Sequence, residues 1–315
     1  MSGSIHKLIS TASFFFFFLV NAAAQNIAEV RKIMKQEYNL TPNPSKDTQY
    51  YAMESRLQKQ ALDGSIQGID IYRLYLRCVP SADPAQGDEY TCLKFLVQLN
   101  NTAEISIPSL ANWKHYFLVT ANARDKNGQV FGIEHKIFEK LKDENGKMLP
   151  LENTYHVYNA FIDFHAMNVF ADKTKIDSGV QNLKTIGDKI VHAASYSKAP
   201  VNLGPDIAEG SYFKNGLVTL SFKGLGLIND KVCAILEYDS GKSSFFMIMK
   251  PIASMEVPTT GSSHYWGDIY KDLGSGWIQK AVLHEIVISE TTVPGMSNKI
   301  NTVIERSIDI ENMKK

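Results

Sequence analysis

Asp163 and His165 are separated by one residue, and His192 follows with Ser195 three positions beyond it. These are the residue types of nucleophilic hydrolysis. On a strand, Asp163 and His165 share a face, where a carboxylate can orient an imidazole. The chain has no G-x-S-x-G elbow, and such triads are defined by geometry, not by chain order. Hydrogen-bonded structural polar residues are the favoured account of the same four positions. Metal chemistry finds less support. His284 and Glu285 lie in a strand-like run, so they point to opposite faces and cannot chelate one ion together. No H-E-x-x-H and no paired C-x-x-C is present. None of the acids is marked as a glycosidase pair, and Gly224-Leu225-Gly226 lacks the rest of a phosphate loop and reads as a turn. The sequence therefore marks no catalytic residue, no metal site and no cofactor.

The first 24 residues read as an address. Lys7 and His6 give a positive start, Leu8 to Val20 is apolar apart from Ser10, Thr11 and Ser13, and Ala22-Ala23-Ala24 supplies a cleavage site before Gln25. That is the pattern of a secretory signal peptide, with an apolar run shorter than a bilayer requires. The expected location is periplasmic or secreted, with no transmembrane anchor once the signal is removed. The chain has 33 basic and 33 acidic residues, so it carries no electrostatic footprint for nucleic acid. A hydrophobic content of 44% argues for a packed core and against disorder. The sequons at Asn39 and Asn100 matter only in a eukaryotic host, and the leader is bacterial in pattern.

Three cysteines remain in a compartment that permits disulfides. Cys78 and Cys92 flank the polar loop Pro80 to Glu89, and two strands joined by that loop would bring both sulfurs to its base. A Cys78–Cys92 bridge and plain core packing both fit. Cys233 reads as a core residue.

The elements that must position these groups change character along the chain. Ile27, Val30, Met34 and Tyr38 recur at helical spacing, and a second helix is expected over Asp47 to Leu62 with Met53, Leu57 and Ala61 on its buried side. Ile69 to Val79, Tyr90 to Leu99, Ile105 to Leu110 and Trp113 to Ala123 read as strands. The turn Asp125-Lys126-Asn127-Gly128 should lead into a partner strand over Gln129 to Leu141, and Asp143 to Gly146 repeats the turn chemistry. Tyr155 to Asp172 fits strand composition and a helical stripe equally well. Ser195 to Gly210 is the best linker.

Beyond it, Leu217 to Phe222, Lys231 to Tyr238 and Ser244 to Lys250 read as short strands. His264 to Leu273 and Trp277 to Ser289 form a long hairpin. The last strand, Lys299 to Ile310, sets Ile300, Ile304, Ile308 and Ile310 against Lys299, Asn301, Glu305, Ser307 and Asp309, the alternation of a half-solvated sheet. The expected fold is α+β and predominantly antiparallel β. Two N-terminal helices precede two meanders that form curved sheets or a sandwich. The expected domains are 25–195 and 210–315, after the signal peptide at 1–24.

The hairpin carries a resemblance. Gly267 opens a strand, Asp272-Leu273 precedes the turn Gly274-Ser275-Gly276, and Ile278-Gln279-Lys280-Ala281 returns. This pattern is similar to hairpins in exported proteins of the LolA-like, half-barrel kind. The resemblance spans Ser262 to Ile310 and offers no binding residues to carry over. It implies a curved antiparallel sheet whose concave face holds lipid acyl chains under helical segments.

Independently, an apolar sheet face must be covered by helices, a second sheet or a ligand. The function expected from the sequence is an exported, soluble, non-catalytic protein that carries a lipid or other apolar ligand on a curved sheet. Phe246, Met247, Trp266 and Trp277 are the expected lining. The alternatives are a secreted glycan- or protein-binding module using Trp113 and Tyr116, and thirdly a hydrolase. The other explanation of the apolar face is that the two halves pack together as one core.

Overall fold

Alternation decides the first long element. Tyr51, Met53, Ser55 and Leu57 are buried while Glu54 and Arg56 are exposed, a period of two. The expected helix over Asp47 to Leu62 is therefore corrected to a strand, β1 (Gln49–Gln60). Met53, Leu57 and Ala61 are four apart, a spacing that fits a helix face and one face of a strand alike. The residues at 51 and 55 break the tie.

The computed structural model describes residues 29–83, 86–117, 130–174, 176–201 and 206–313. The signal-peptide reading of 1–24 and the Asp125–Gly128 turn lie outside these residues. A helical stretch, α1, occupies 29–35 and is exposed throughout. After β1 come β2 (Ile66–Val79), β3 (Asp88–Leu99), β4 (Ile105–Ser106) and β5 (Lys114–Phe117). The 21-residue helix α2 (Leu151–Ala171) follows, then the short strands β6 (Lys189–Val191), β7 (Lys198–Pro200) and β8 (Tyr212–Lys214). The C-terminal strands are β9 (Thr219–Ile228), β10 (Lys231–Asp239), β11 (Ser243–Ile252), β12 (Met255–Asp272), β13 (Ile278–Thr291) and β14 (Ile300–Asn312).

The expectation of two N-terminal helices thus fails: the long helix lies mid-chain, in the segment whose pattern was ambiguous. Pro150 at its N-cap and Glu152 in its first turn suit a helix start. Its buried residues, among them Val157, Tyr158, Phe161, Phe164, His165 and Met167, fall on nearly every side. A helix wrapped by protein shows no clear polar face, so its period is weak in the sequence. Two further expectations change. The described part of Gln129 to Leu141 is turns and a short 3₁₀ helix, His135–Phe138, not a strand. Gly224 and Gly226 lie within β9, and the β9–β10 turn falls at Asn229 and Asp230, whose φ values of 53° and 63° are those of a tight hairpin turn.

The fourteen strands belong to one open, curved sheet whose main path runs β4-β3-β2-β1-β14-β13-β12-β10-β9-β6, with β5 branching from β3 and β11, β8 and β7 branching in turn from β12. The two meanders join where β1 pairs antiparallel with β14, Met53 opposite Ile310 and Leu57 opposite Arg306. β12 is long enough to fork the sheet. Its first half pairs with β11 and its second half with β10, while β13 runs along its other edge.

α2 crosses the inner face of this sheet and is tied down along its length. Asn153 donates to the Tyr72 hydroxyl on β2 (2.9 Å), Phe161 stacks on Phe95 of β3, and Phe164 meets Tyr51 edge-on. Near its C-terminus Phe170 stacks on Tyr238, and Lys271 donates to the Ala171 carbonyl.

Cys78, Cys92 and Cys233 are all free and buried, which corrects the proposed bridge. Cys78 is paired with Tyr90, and Cys92 with Leu76, so the two cysteines are diagonal neighbours on β2 and β3. Diagonal Cα atoms lie about 7–8 Å apart, beyond the usual reach of a disulfide.

Candidate functional site

The inner face does not close onto α2 everywhere. Between helix and sheet lies a cavity of about 1020 Å³, at the upper end of the size range of small-molecule sites. Its floor carries Phe245, Met247 and Met249 from β11, Leu283 and Val287 from β13, and Ile304 from β14. Its roof is the face of α2 bearing Tyr155, Ile162, Ala166 and Phe170. The Phe245 ring reaches over Gly261, opposite it on β12, where a Cβ would meet the ring at 2.3 Å. Glycine at 261 is what lets that ring form part of the wall.

A buried cluster of charged side chains interrupts this surface. Arg306 stands on the inner face of β14 and is paired in register with Glu285 on β13. Its Nε donates to Glu285 Oε2 (2.7 Å), and its Nη1 donates to Asp163 Oδ2 on α2 (2.5 Å). Its Nη2 reaches both carboxylates, and Ser263 donates to the other Glu285 oxygen. All three charged side chains are nearly buried. Burial pushes the Asp163 carboxyl up to about 6; Arg306 opposes that shift and Glu285 adds to it. Burial opposes charge on Arg306, but the two carboxylates more than compensate and hold it firmly protonated. Burial also keeps His156 neutral, lowering it to about 3 with help from Arg306 and Lys59.

The groups expected to do nucleophilic chemistry do not meet. On the helix, Asp163 faces the cavity, whereas His165 turns to the other side, where its Nε2 lies 2.7 Å from His115 Nε2 among Tyr90, Phe117 and Phe164. His192 accepts from the Ala194 amide through Nδ1 (3.1 Å), and burial lowers it to about 4. Ser195 donates to the Val218 carbonyl (2.9 Å). Neither histidine is hydrogen-bonded to that hydroxyl. Among the described residues no group of three or more His, Cys, Asp or Glu is arranged to hold a metal.

Of the four expected lining residues, Met247 lies on the cavity wall. Phe246 points to the opposite face and packs near Tyr212. Trp266 is on the outer face between His264 and His284. Trp277 is buried at the β12–β13 turn, where its Nε1 donates to the Ser45 carbonyl (2.9 Å) and pins the N-terminal segment. Trp113 packs inward on His115 and Phe138, and Tyr116 stands exposed.

Sequence reasoning passed over Arg306 and the pairing of Glu285 with it. A signal was present: each is a charge on the apolar side of an alternating strand, among Ile304 and Ile308 in one case and Leu283 and Val287 in the other.

No helix among the described residues is long and apolar enough to cross a membrane. No protein-family model matches the chain, and no curated protein matches it. Among solved structures the chain is similar to OmpT (in-vitro folded), an outer membrane protein of Vibrio cholerae. The identity is 11% over 84% of this chain and 97% of that one, with a TM-score of 0.15, a superposition that carries no argument about fold or function.

Proposed function

We propose that this is an exported, non-catalytic binding or carrier protein that holds an apolar ligand between α2 and the inner face of its sheet. The export part of the reading rests on the pattern of the first 24 residues. The binding part rests on one observation: a cavity of about 1020 Å³ whose exposed wall is mostly apolar, with Phe245, Met247, Met249, Leu283, Val287 and Ile304 on its floor. Wetting such a surface is unfavourable by about 25 cal/mol for each Å² of apolar area that a ligand would cover. Displacement of that water by an acyl chain or comparable apolar body supplies the driving force. Ser195, His192 and Asp163 all line the cavity, but Ser195 donates to the Val218 carbonyl, His192 accepts from the Ala194 amide and Asp163 is held by Arg306, so they form no hydrogen-bonded triad.

Native mass spectrometry of the exported protein, followed by solvent extraction, tests this. A reproducible extra mass that extracts into organic solvent is the expected result. A bare polypeptide that also takes up no added apolar molecule would overturn the proposal.

A further inference from the structure

Among the residues that line the cavity, Asp163, Glu285 and Arg306 form a nearly buried cluster whose charge does not balance. Two carboxylates share one guanidinium. Among the described residues, the other cations near the cavity are engaged or solvated. Lys59 is paired with Asp70 and Glu152, while Lys173 and Lys198 are exposed at the rim, Lys198 lying over the Tyr212 ring. His156, two turns before Asp163 on α2, is held neutral. The Arg306 donors are already directed at the carboxylates, so an anionic ligand would meet acceptors without free donors. A cation would meet two carboxylates and the rings of Tyr155 and Tyr265, both on the cavity wall. Aromatic faces and buried carboxylates both favour a cation.

Resting on the carrier reading, we infer that the ligand is an amphipath with a protonated amine. Its ammonium group sits against Asp163 and Glu285, and its apolar tail runs over Met247 and Leu283. The ammonium neutralises the excess negative charge, and its N–H groups take the carboxylate lone pairs that Arg306, Ser263 and Asn159 leave free. Ligands of equal tail length are then ranked by head group, with amine tightest, alcohol weaker and carboxylate weakest.

Calorimetric titration with dodecylamine, dodecanol and dodecanoate, each below its micelle concentration and near neutral pH, separates the two claims. Dodecylamine is expected to bind about tenfold tighter than dodecanol, the worth of one charge-assisted hydrogen bond, and dodecanoate is expected to bind more weakly than either. Asp163→Asn should bring the amine down to the level of the alcohol. Glu285→Gln carries the same expectation should the first variant fail to fold. Dodecanol binding with no preference for the amine, or a preference that survives both substitutions, overturns the head-group inference and leaves the cavity reading intact. Failure of all three probes to bind overturns both.

Discussion

Arg306 on the last strand reaches across the cavity to Asp163 on α2, Nη1 to Oδ2 at 2.5 Å, and joins the floor of the site to its roof. The same guanidinium is anchored from below by Glu285, its neighbour in register. The residues that give the cavity its polarity therefore also hold its helix in place.

Arg306→Met should be strongly destabilising. It removes the cation shared by two nearly buried carboxylates, and breaking a buried ion pair from one side costs about 3–5 kcal/mol. Urea denaturation measures the loss. A change under 1 kcal/mol (roughly what a surface pair contributes) would mean that water already screens the cluster.

Stability should depend on Asp163 between about pH 4 and pH 6. Its folded-state pKa, about 6, lies above the ordinary carboxylate value, with burial as the main cause. The groups facing it are Arg306 and Glu285, with Tyr155, Tyr238 and Tyr265 close by. Over that window the folded state binds the extra proton, so this contribution is present in full below the unfolded value and is lost as pH rises through 6. The amount is about 3 kcal/mol. Denaturation midpoints of wild type and Asp163→Asn compared across pH should show the wild type losing ground between pH 4 and 6. Parallel curves would count against a raised pKa.

Filling the cavity should abolish uptake without unfolding the protein. Ala166 lies on the roof, and Ala166→Trp places an indole in the empty space. Binding of dodecanol should fall by an order of magnitude or more, with an unchanged circular dichroism spectrum. Undiminished binding would place the ligand elsewhere.

The thiols should be free but silent. Thiol titration of denatured, unreduced protein should find three, because no cysteine is bridged. The native protein should react slowly, since burial pushes the thiols of Cys78 and Cys92 up to about 12. A single reactive thiol after denaturation would show a bridge.

The His115–His165 pair should behave as a unit. Burial lowers His115 to about 3 and His165 well below its ordinary range, so each ring is neutral and one Nε2–H donates to the other. Replacing either one by Leu leaves a buried imidazole unpaired, at a cost of about 1–3 kcal/mol. Replacing both should cost less than the sum, which a double-mutant cycle reads directly. Additive losses would sink the coupling.

Local chemistry is what the sequence by itself determined. The alternation along Ile304, Ile308 and Ile310 marks the inner face of β14 correctly, and Gly274-Ser275-Gly276 marks the turn between β12 and β13. Pattern failed where two periods coincide, as at Met53 and Leu57. It failed again in α2, whose burial on almost every side erases the polar face a helix is recognised by. It also mislaid a register by one residue: Phe246 and its neighbour Phe245 point to opposite faces, and only strand pairing says which one faces the ligand space.

The meeting of Asp163, Glu285 and Arg306 was decided by tertiary structure alone. Glu285 and Arg306 are aligned by the β13–β14 register, and Asp163 arrives from a helix more than a hundred residues earlier. The cost of burying each charge is recovered only once all three are in place. No single stretch of sequence carries that condition.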